Sequence, residues 1–412
     1  MAPHVPVFCF RSCFSDSEVV VTHPTHPTAN RWSLNSRATR GLLFQAIALV
    51  LVALGIWFLA HNTQTNMAAR GIPSGFDFLG TPAGFDIGQT MIPYDPSESY
   101  GKAIWVGVLN TLKVAILGII LTTILGVLIG VGRFSRNGLI RGLCYGYVEL
   151  FRNVPVLLQL LMWYIFMVEI LPPFANAWSL WDLFYLSKDG FTMPIPARGV
   201  GWSWVYWGLL GGLAAAVIWR QRMFKRFEQT GQEGDMVWVP LALVVVLGLV
   251  GWLVGGMPTE WSVPEKQTFM IDGGYSATPE FLTVLIGLVT YTAAFVAEVV
   301  RSGIQSVSHG QTEAASALGL TPRQTMKLVI LPQALRVIIP PMTNQYLNLT
   351  KNSSLAVAVG YPDVVSVANT AINQSGRAVE CIAIIMLVYL STSLTTSVFM
   401  NWYNARKAIK ER

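Results

Sequence analysis

Polar and ionisable side chains gather in HGQTEAASALGLTPRQTMKLVILPQALRVIIPP, from His309 to Pro341, with mainly apolar segments on both sides. Gln311, Glu313, Arg323, Gln324, Lys327 and Gln333 make its middle too polar to cross lipid as one span. Glu313, with the short residues Ala314 and Ala315, begins a helical turn. Gly319 offers close approach and a helix end, and Thr321 can cap the turn opening at Pro322. The pattern predicts a helix broken at Pro322 and Pro332. Short side chains let a partner's groove approach the backbone, while Glu313 can pair with a basic group or with its own helix N-terminus. The same spacing fits an ordinary amphipathic linker. Nothing equips Glu313 for catalysis, since no nucleophile with a base and no metal cluster accompanies it.

Two acid–base pairs lie nearby in pattern. Glu149 and Arg152, and again Glu298 and Arg301, are three residues apart at helix edges, where they can pair on one face. Each pair could clamp helix ends together or set charges at the headgroups. Asn344, Gln345, Asn348, Asn352, Ser353 and Ser354 form a polar stripe in a segment otherwise suited to a membrane. They face other helices or a water-accessible path. Lys351 among them must face a cavity, find an acid or snorkel to an edge. Gly107, Gly118, Gly126 and Gly130 permit close helix contact.

These residues need a scaffold, and composition says which kind. Of 412 residues, 53% are hydrophobic and 12% charged, against about 25% charged in soluble chains. Mean hydropathy is positive. The chain is therefore an all-α polytopic membrane protein held in lipid. No Arg/Lys field with interleaved aromatics points to nucleic acid. Cys9 and Cys13 have no neighbouring cluster to complete a metal site, and Cys144 and Cys381 suit apolar packing. No Walker A sequence occurs, so any ATP-driven step needs another polypeptide.

Runs of about 20 apolar residues predict about eight crossings. They lie at residues 41–60, 103–131, 154–171, 204–219, 237–256, 281–300, 338–359 and 379–399. Residues 1–40 read as a polar tail and 41–102 as a first span with its loop. Residues 103–402 read as the main transmembrane domain, with an insertion near 172–278 and a polar segment at 305–335. Residues 403–412 form a basic tail. Basic turns at 133–141 and 220–226 share a side with both tails and the polar segment, while Asp77, Asp86, Asp95, Asp182, Glu260 and Glu265 take the other. The positive-inside rule makes the first side cytoplasmic, with both termini there.

The sequence resembles the inner-membrane permease subunits of bacterial ATP-binding-cassette importers, in the polar amino-acid group. Glu313-Ala314-Ala315, Gly319 and Val329-Ile330-Leu331-Pro332 resemble that family's EAA signature. AEVVRSGIQSVSHGQTEAA from Ala297, LPQALRVIIPP from Leu331, NLTKNSSLAVAVGYPD from Asn348 and VELFRNVPVLLQL from Val148 look like its flanking blocks. The extra first span and the insertion depart from the common five-helix core and look like the longer permease of general L-amino-acid systems. The resemblance implies a type I importer transmembrane domain in the inner membrane. It implies a second homologous permease as heterodimer partner, two ATPase subunits that use ATP and magnesium, and a periplasmic amino-acid-binding protein. This chain would hold no cofactor of its own. By carry-over, Glu313, Ala314, Ala315 and Gly319 would contact the ATPase, and polar L-amino acids would be the cargo. The competing expectation is a self-contained carrier or channel using the stripe Asn344, Asn348, Asn352, Ser353 and Ser354; a membrane scaffold with a docking helix is a third.

Overall fold

The computed structural model describes residues 37–71, 74–197, 199–230, 234–267 and 271–407. The sequence-predicted N-terminal tail up to residue 36 lies outside them, with Cys9 and Cys13. The chain divides into two compact units, residues 1–73 and 74–412. The described part of the first is α1 (Arg37–Ala69), which carries the first apolar run.

The second unit is built on α2 (Tyr100–Gly132) and α7 (Pro279–Gln305), which pack along their lengths. Ser99 caps α2 by accepting from the Lys102 N–H, and Thr278 caps α7 by accepting from Phe281 before Pro279 at the first turn. Small residues bring the backbones together. A Cβ at Gly126 would lie 2.5 Å from Val296 Cγ1, and one at Gly130 would lie 2.9 Å from the Ala297 carbonyl oxygen. The other two stripe glycines serve different neighbours, Gly107 meeting Val364 and Gly118 meeting Leu349.

Between these helices run α3 (Gly138–Asn153) and α4 (Val156–Ile165), which continues as a π-helical turn to Ile170. The third apolar run is thus bent by 106° at its entry. Pro155 explains the bend: it disfavours helical backbone at Val154, which is extended at φ −100° and ψ 130°. Gln159 folds back and donates to the Phe151 and Val154 carbonyl oxygens at 2.9 Å, satisfying groups the break would leave open.

The inserted region begins with strands β1 (Trp178–Leu180), β2 (Phe184–Ser187), β3 (Gly190–Met193) and β4 (Ile195–Pro196). Helices α5 (Val200–Thr230) and α6 (Trp238–Val254) follow, then β5 (Trp261–Ser262), β6 (Glu265–Lys266), β7 (Ile271–Asp272) and β8 (Tyr275–Ala277). An antiparallel sheet in the order β1-β2-β3-β8 ties the insertion to the start of α7. Helices α5 and α6 form a close hairpin in which Gly212 abuts the backbone of Val244. Asp235 caps α6 by accepting from the Val237 and Trp238 N–H groups at 2.9 and 2.8 Å, which holds its carboxyl below the usual range.

After α7 come α8 (His309–Ala317), the single turn α9 (Pro322–Gln324), a π-helical stretch (Thr325–Ile330) and α10 (Leu331–Asn352). The expected break at Pro332 is absent. Pro322 opens a helix that passes through Pro332, in the first turn of α10, because the wide π turn before it accommodates the ring and the missing N–H. A 3-10 stretch to Val359 and Gly360 at φ +78° then lead to α11 (Val364–Ser375) and α12 (Ala378–Lys407).

Among the described residues, five helices are long and apolar enough to cross a membrane. Two bent pairs could each add one span, and α6 is a shorter apolar helix. Residues 74–99, grouped by sequence with the first span, belong instead to the second unit. Phe78, Ala83 and Ile87 are buried with α2, α11 and Cys381. Glu380 Oε1 accepts from the Gly75 N–H at 2.6 Å, and Arg377 donates to the Gly75 carbonyl at 3.3 Å.

Candidate functional site

Helix α8 hangs from the central helix α7 by a three-residue link, 306–308, and is closed at its far end by glycine chemistry. Gly319 takes φ +77°. Its N–H donates to the Ser316 carbonyl at 3.0 Å, and the Leu320 N–H donates to Ala315 at 3.1 Å. These two bonds are a Schellman closure, which requires a residue free to enter the left-handed region. Thr321 and Gln324 then form a reciprocal capping box that starts the next helix. Two sharp termini in succession fix the angle of α8 against residues 322–333.

Within that frame the sequence-predicted contact residues separate. Glu313, Ala314 and Gly319 are exposed, whereas Ala315 is 3% exposed and packs inward. Gln333 donates to Gln311 at 3.2 Å and helps pin α8 to α10. Glu313 Oε1 lies 3.1 Å from His309 Nδ1 one turn earlier, with both side chains in the open. Sequence reasoning passed over Leu318, which is 81% exposed at the end of α8. A large apolar side chain at the rim of a polar helix was its available signal.

The acid–base pairs also rearrange. Glu298 is the centre of a cluster that takes Arg301 from its own helix, Arg133 from the end of α2 and Arg152 from the end of α3. Arg301 Nε lies 3.2 Å from both carboxylate oxygens, and Arg152 lies at 3.8 Å. Arg133 bonds the same carboxylate while its guanidinium rests 4.0 Å over the Tyr145 ring. The expected Glu149–Arg152 pair does not form. Arg152 turns toward Glu298 and the Phe295 face, and Glu149 accepts from Asn153 at 3.3 Å. A carboxylate shared across helices offers Arg152 more than an exposed partner on its own turn.

The polar stripe is two features. Asn344, Asn348 and Lys351 are exposed along one side of α10, while Ser353 is buried and Asn352 and Ser354 are half-buried. Ser353 donates to the Thr350 carbonyl at 2.7 Å and Ser354 donates to Lys351 at 2.8 Å, so both hydroxyls serve the backbone at the helix end. Asn344 and Asn348 are the stripe residues left on an open face. The site brings together an exposed helix, a closed joint behind it and an ion cluster that joins α2, α3 and α7.

A family model described as binding-protein-dependent transport system inner membrane component matches residues 236–409, which include α7, α8 and α10. The general L-amino acid transport system permease protein AapQ of Rhizobium johnstonii is 45% identical over 96% of this chain and 99% of its own length. The chain belongs to the permease family of amino-acid ABC transporters. The putative amino-acid ABC transporter permease YhdX of Escherichia coli K12 is 44% identical over 95% of this chain and all of its own. The glutamate/glutamine/aspartate/asparagine transport system permease BztB of Rhodobacter capsulatus is 40% identical over 90% and 95%. These lengths include the α5–α6 insertion, which is therefore shared with such relatives. As a transmembrane permease component of the inner membrane, the chain is not itself an enzyme, and membership favours the ATP-driven reading over a self-contained carrier.

Proposed function

We infer that the chain is one permease subunit of an ATP-driven importer carrying polar L-amino acids from periplasm to cytoplasm. It pairs with a second homologous permease, two ATPase subunits that consume ATP with magnesium, and a periplasmic amino-acid-binding protein. Both termini and α8 face the cytoplasm, and the strands face the periplasm. Helix α8 enters a groove of an ATPase subunit through Glu313, Ala314 and Gly319, with Leu318 beside them, and Ala315 fixes α8 to its own chain from behind. ATPase closure then moves α8, and the Glu298 cluster passes that movement to the ends of α2, α3 and α7. The exposed side of α10 carrying Asn344 and Asn348 lines the solute path, while Asn352, Ser353 and Ser354 hold the helix end beside it. The supporting observation is that α8 is closed at its C-terminal end by the bonds around Gly319 and tied to α10 through Gln311, while its outward side is left uncovered.

The proposed cargo range is supported by two relatives, one a general L-amino acid permease and the other a glutamate/glutamine/aspartate/asparagine permease. Glu313→Arg tests the reading in reconstituted assemblies. The variant is expected to insert normally while losing most ATPase association and uptake. Wild-type association and uptake in that variant would remove Glu313 from the contact.

A further inference from the structure

Lys113 lies on α2 among residues chosen for lipid, ten positions beyond the start of the apolar run at 103. At 1.5 Å per residue that is about 15 Å along α2 from the start of that run. Its side chain reaches the start of α7. The ammonium donates to the Tyr275 hydroxyl at 2.6 Å and sits 4.0 Å from the centroid of the Phe281 ring. The Tyr275 ring is 5.3 Å away.

A cation inside a membrane protein normally meets a carboxylate or snorkels into water. Among the described residues no Asp or Glu lies within ion-pair distance of Lys113, and its charge ends beneath an aromatic face. Cation–π attraction and a neutral hydroxyl hold the ammonium in place, yet neither cancels its charge. Other cations of this unit are handled differently, Lys102 pairing with Glu98 and Arg133 with Glu298. The hydroxyl adds a second feature. An ammonium has only donors, so the Tyr275 oxygen accepts from it and must aim its own hydrogen elsewhere. No protein acceptor takes that hydrogen among the described residues. Lys113 and Tyr275, both half-buried, thus present adjacent donors and one uncompensated positive charge.

We propose that Lys113 and Tyr275 form a binding site for a carboxylate of the transported amino acid, at the periplasmic threshold between α2 and α7. The proposal rests on the import reading above. Charge-assisted bonds from the ammonium and the hydroxyl would compensate the charge, and the Phe281 ring would keep the ammonium from retreating to water. Either carboxylate could be the one held, the α-carboxylate common to all cargo or the side-chain group of an acidic amino acid.

The test is ATP-driven uptake of labelled glutamate and glutamine by the full assembly in proteoliposomes, comparing wild type with K113Q, K113R and Y275F. Rates are normalised to assembled complex. K113Q is expected to raise the half-saturating concentration about tenfold or more, K113R to stay within about threefold, and Y275F to fall between them. A rise confined to glutamate assigns the side-chain carboxylate, and a rise for both substrates assigns the α-carboxylate. Unchanged half-saturation for both in K113Q overturns the site. That includes the case where its maximal rate and melting temperature fall together, which would mark Lys113 as a strut between helix and sheet. Absence of ATP-driven uptake by the wild-type assembly would overturn the import reading, and the site with it.

Discussion

Replacing Glu298 by Gln removes the one carboxylate that Arg133, Arg152 and Arg301 share. The side chain of Arg133 is 4% exposed, so it cannot recover water when its partner loses charge. Orphaning a buried charge costs about 3–5 kcal/mol. Two features reduce that here. Glu298 itself is about a quarter exposed, and the Tyr145 ring retains part of the guanidinium's stabilisation. A loss of about 2–3 kcal/mol is therefore expected for E298Q. R133M removes the cation instead and leaves Glu298 with the two-oxygen grip of Arg301, so it should cost only about 1 kcal/mol. The double variant has neither buried charge and should resemble R133M. Unfolding of purified protein in a fixed detergent, followed for all four forms, gives the coupling energy directly. A coupling of about 2–3 kcal/mol is expected. Costs that simply add would refute the shared-carboxylate joint.

Further predictions concern the packing and the outward helix. Gly126→Val should lose about 1–3 kcal/mol, because its Cβ would meet Val296 on α7; melting of the purified protein reads this. Gly319→Ala, at φ +77°, should cost about 1 kcal/mol and also weaken ATPase association, since it disturbs the end of α8. Leu318→Asp should leave melting unchanged and reduce association, whereas Ala315→Leu should lower melting by overpacking a buried position. The same unfolding and pull-down measurements separate the two. For α6, the depressed carboxyl of Asp235 contributes stability above the ordinary carboxylate range. That contribution should fade as pH falls through its lowered pKa, and D235N should flatten the acid limb of a melting profile.

Much of this arrangement was legible in the sequence because lipid imposes a simple rule on run length and charge. The apolar runs predicted at 103–131 and 281–300 appear as α2 and α7, and Gly319 with Thr321 signals two helix ends by residue type alone. What stayed hidden depends on partners distant in the chain. Glu298 and Arg301 could be paired by spacing, but Arg133 joins them only because α2 ends beside α7. Arg152 has an acid three residues away, yet follows the remote one. Pro332 reads locally as a break, and only a π turn upstream lets the helix continue. Gln159 looks like a stray polar residue until the bend at Pro155 gives it two carbonyls to satisfy. Residues 74–99 resemble a loose loop by their Gly, Pro and Asp content, while Phe78 and Ile87 anchor them in the core. Lys113 carried a signal that could have been taken up, a lone cation in an apolar run.

In the proposed assembly, α8 is gripped by a separate ATPase. A single cysteine at Leu318, crosslinked in the assembled transporter, reads out that contact. A crosslinked product with an ATPase subunit is expected, its yield changing with nucleotide, with no labelling of that cysteine by an impermeant reagent from the periplasm. Periplasmic labelling together with no ATPase product would contradict it.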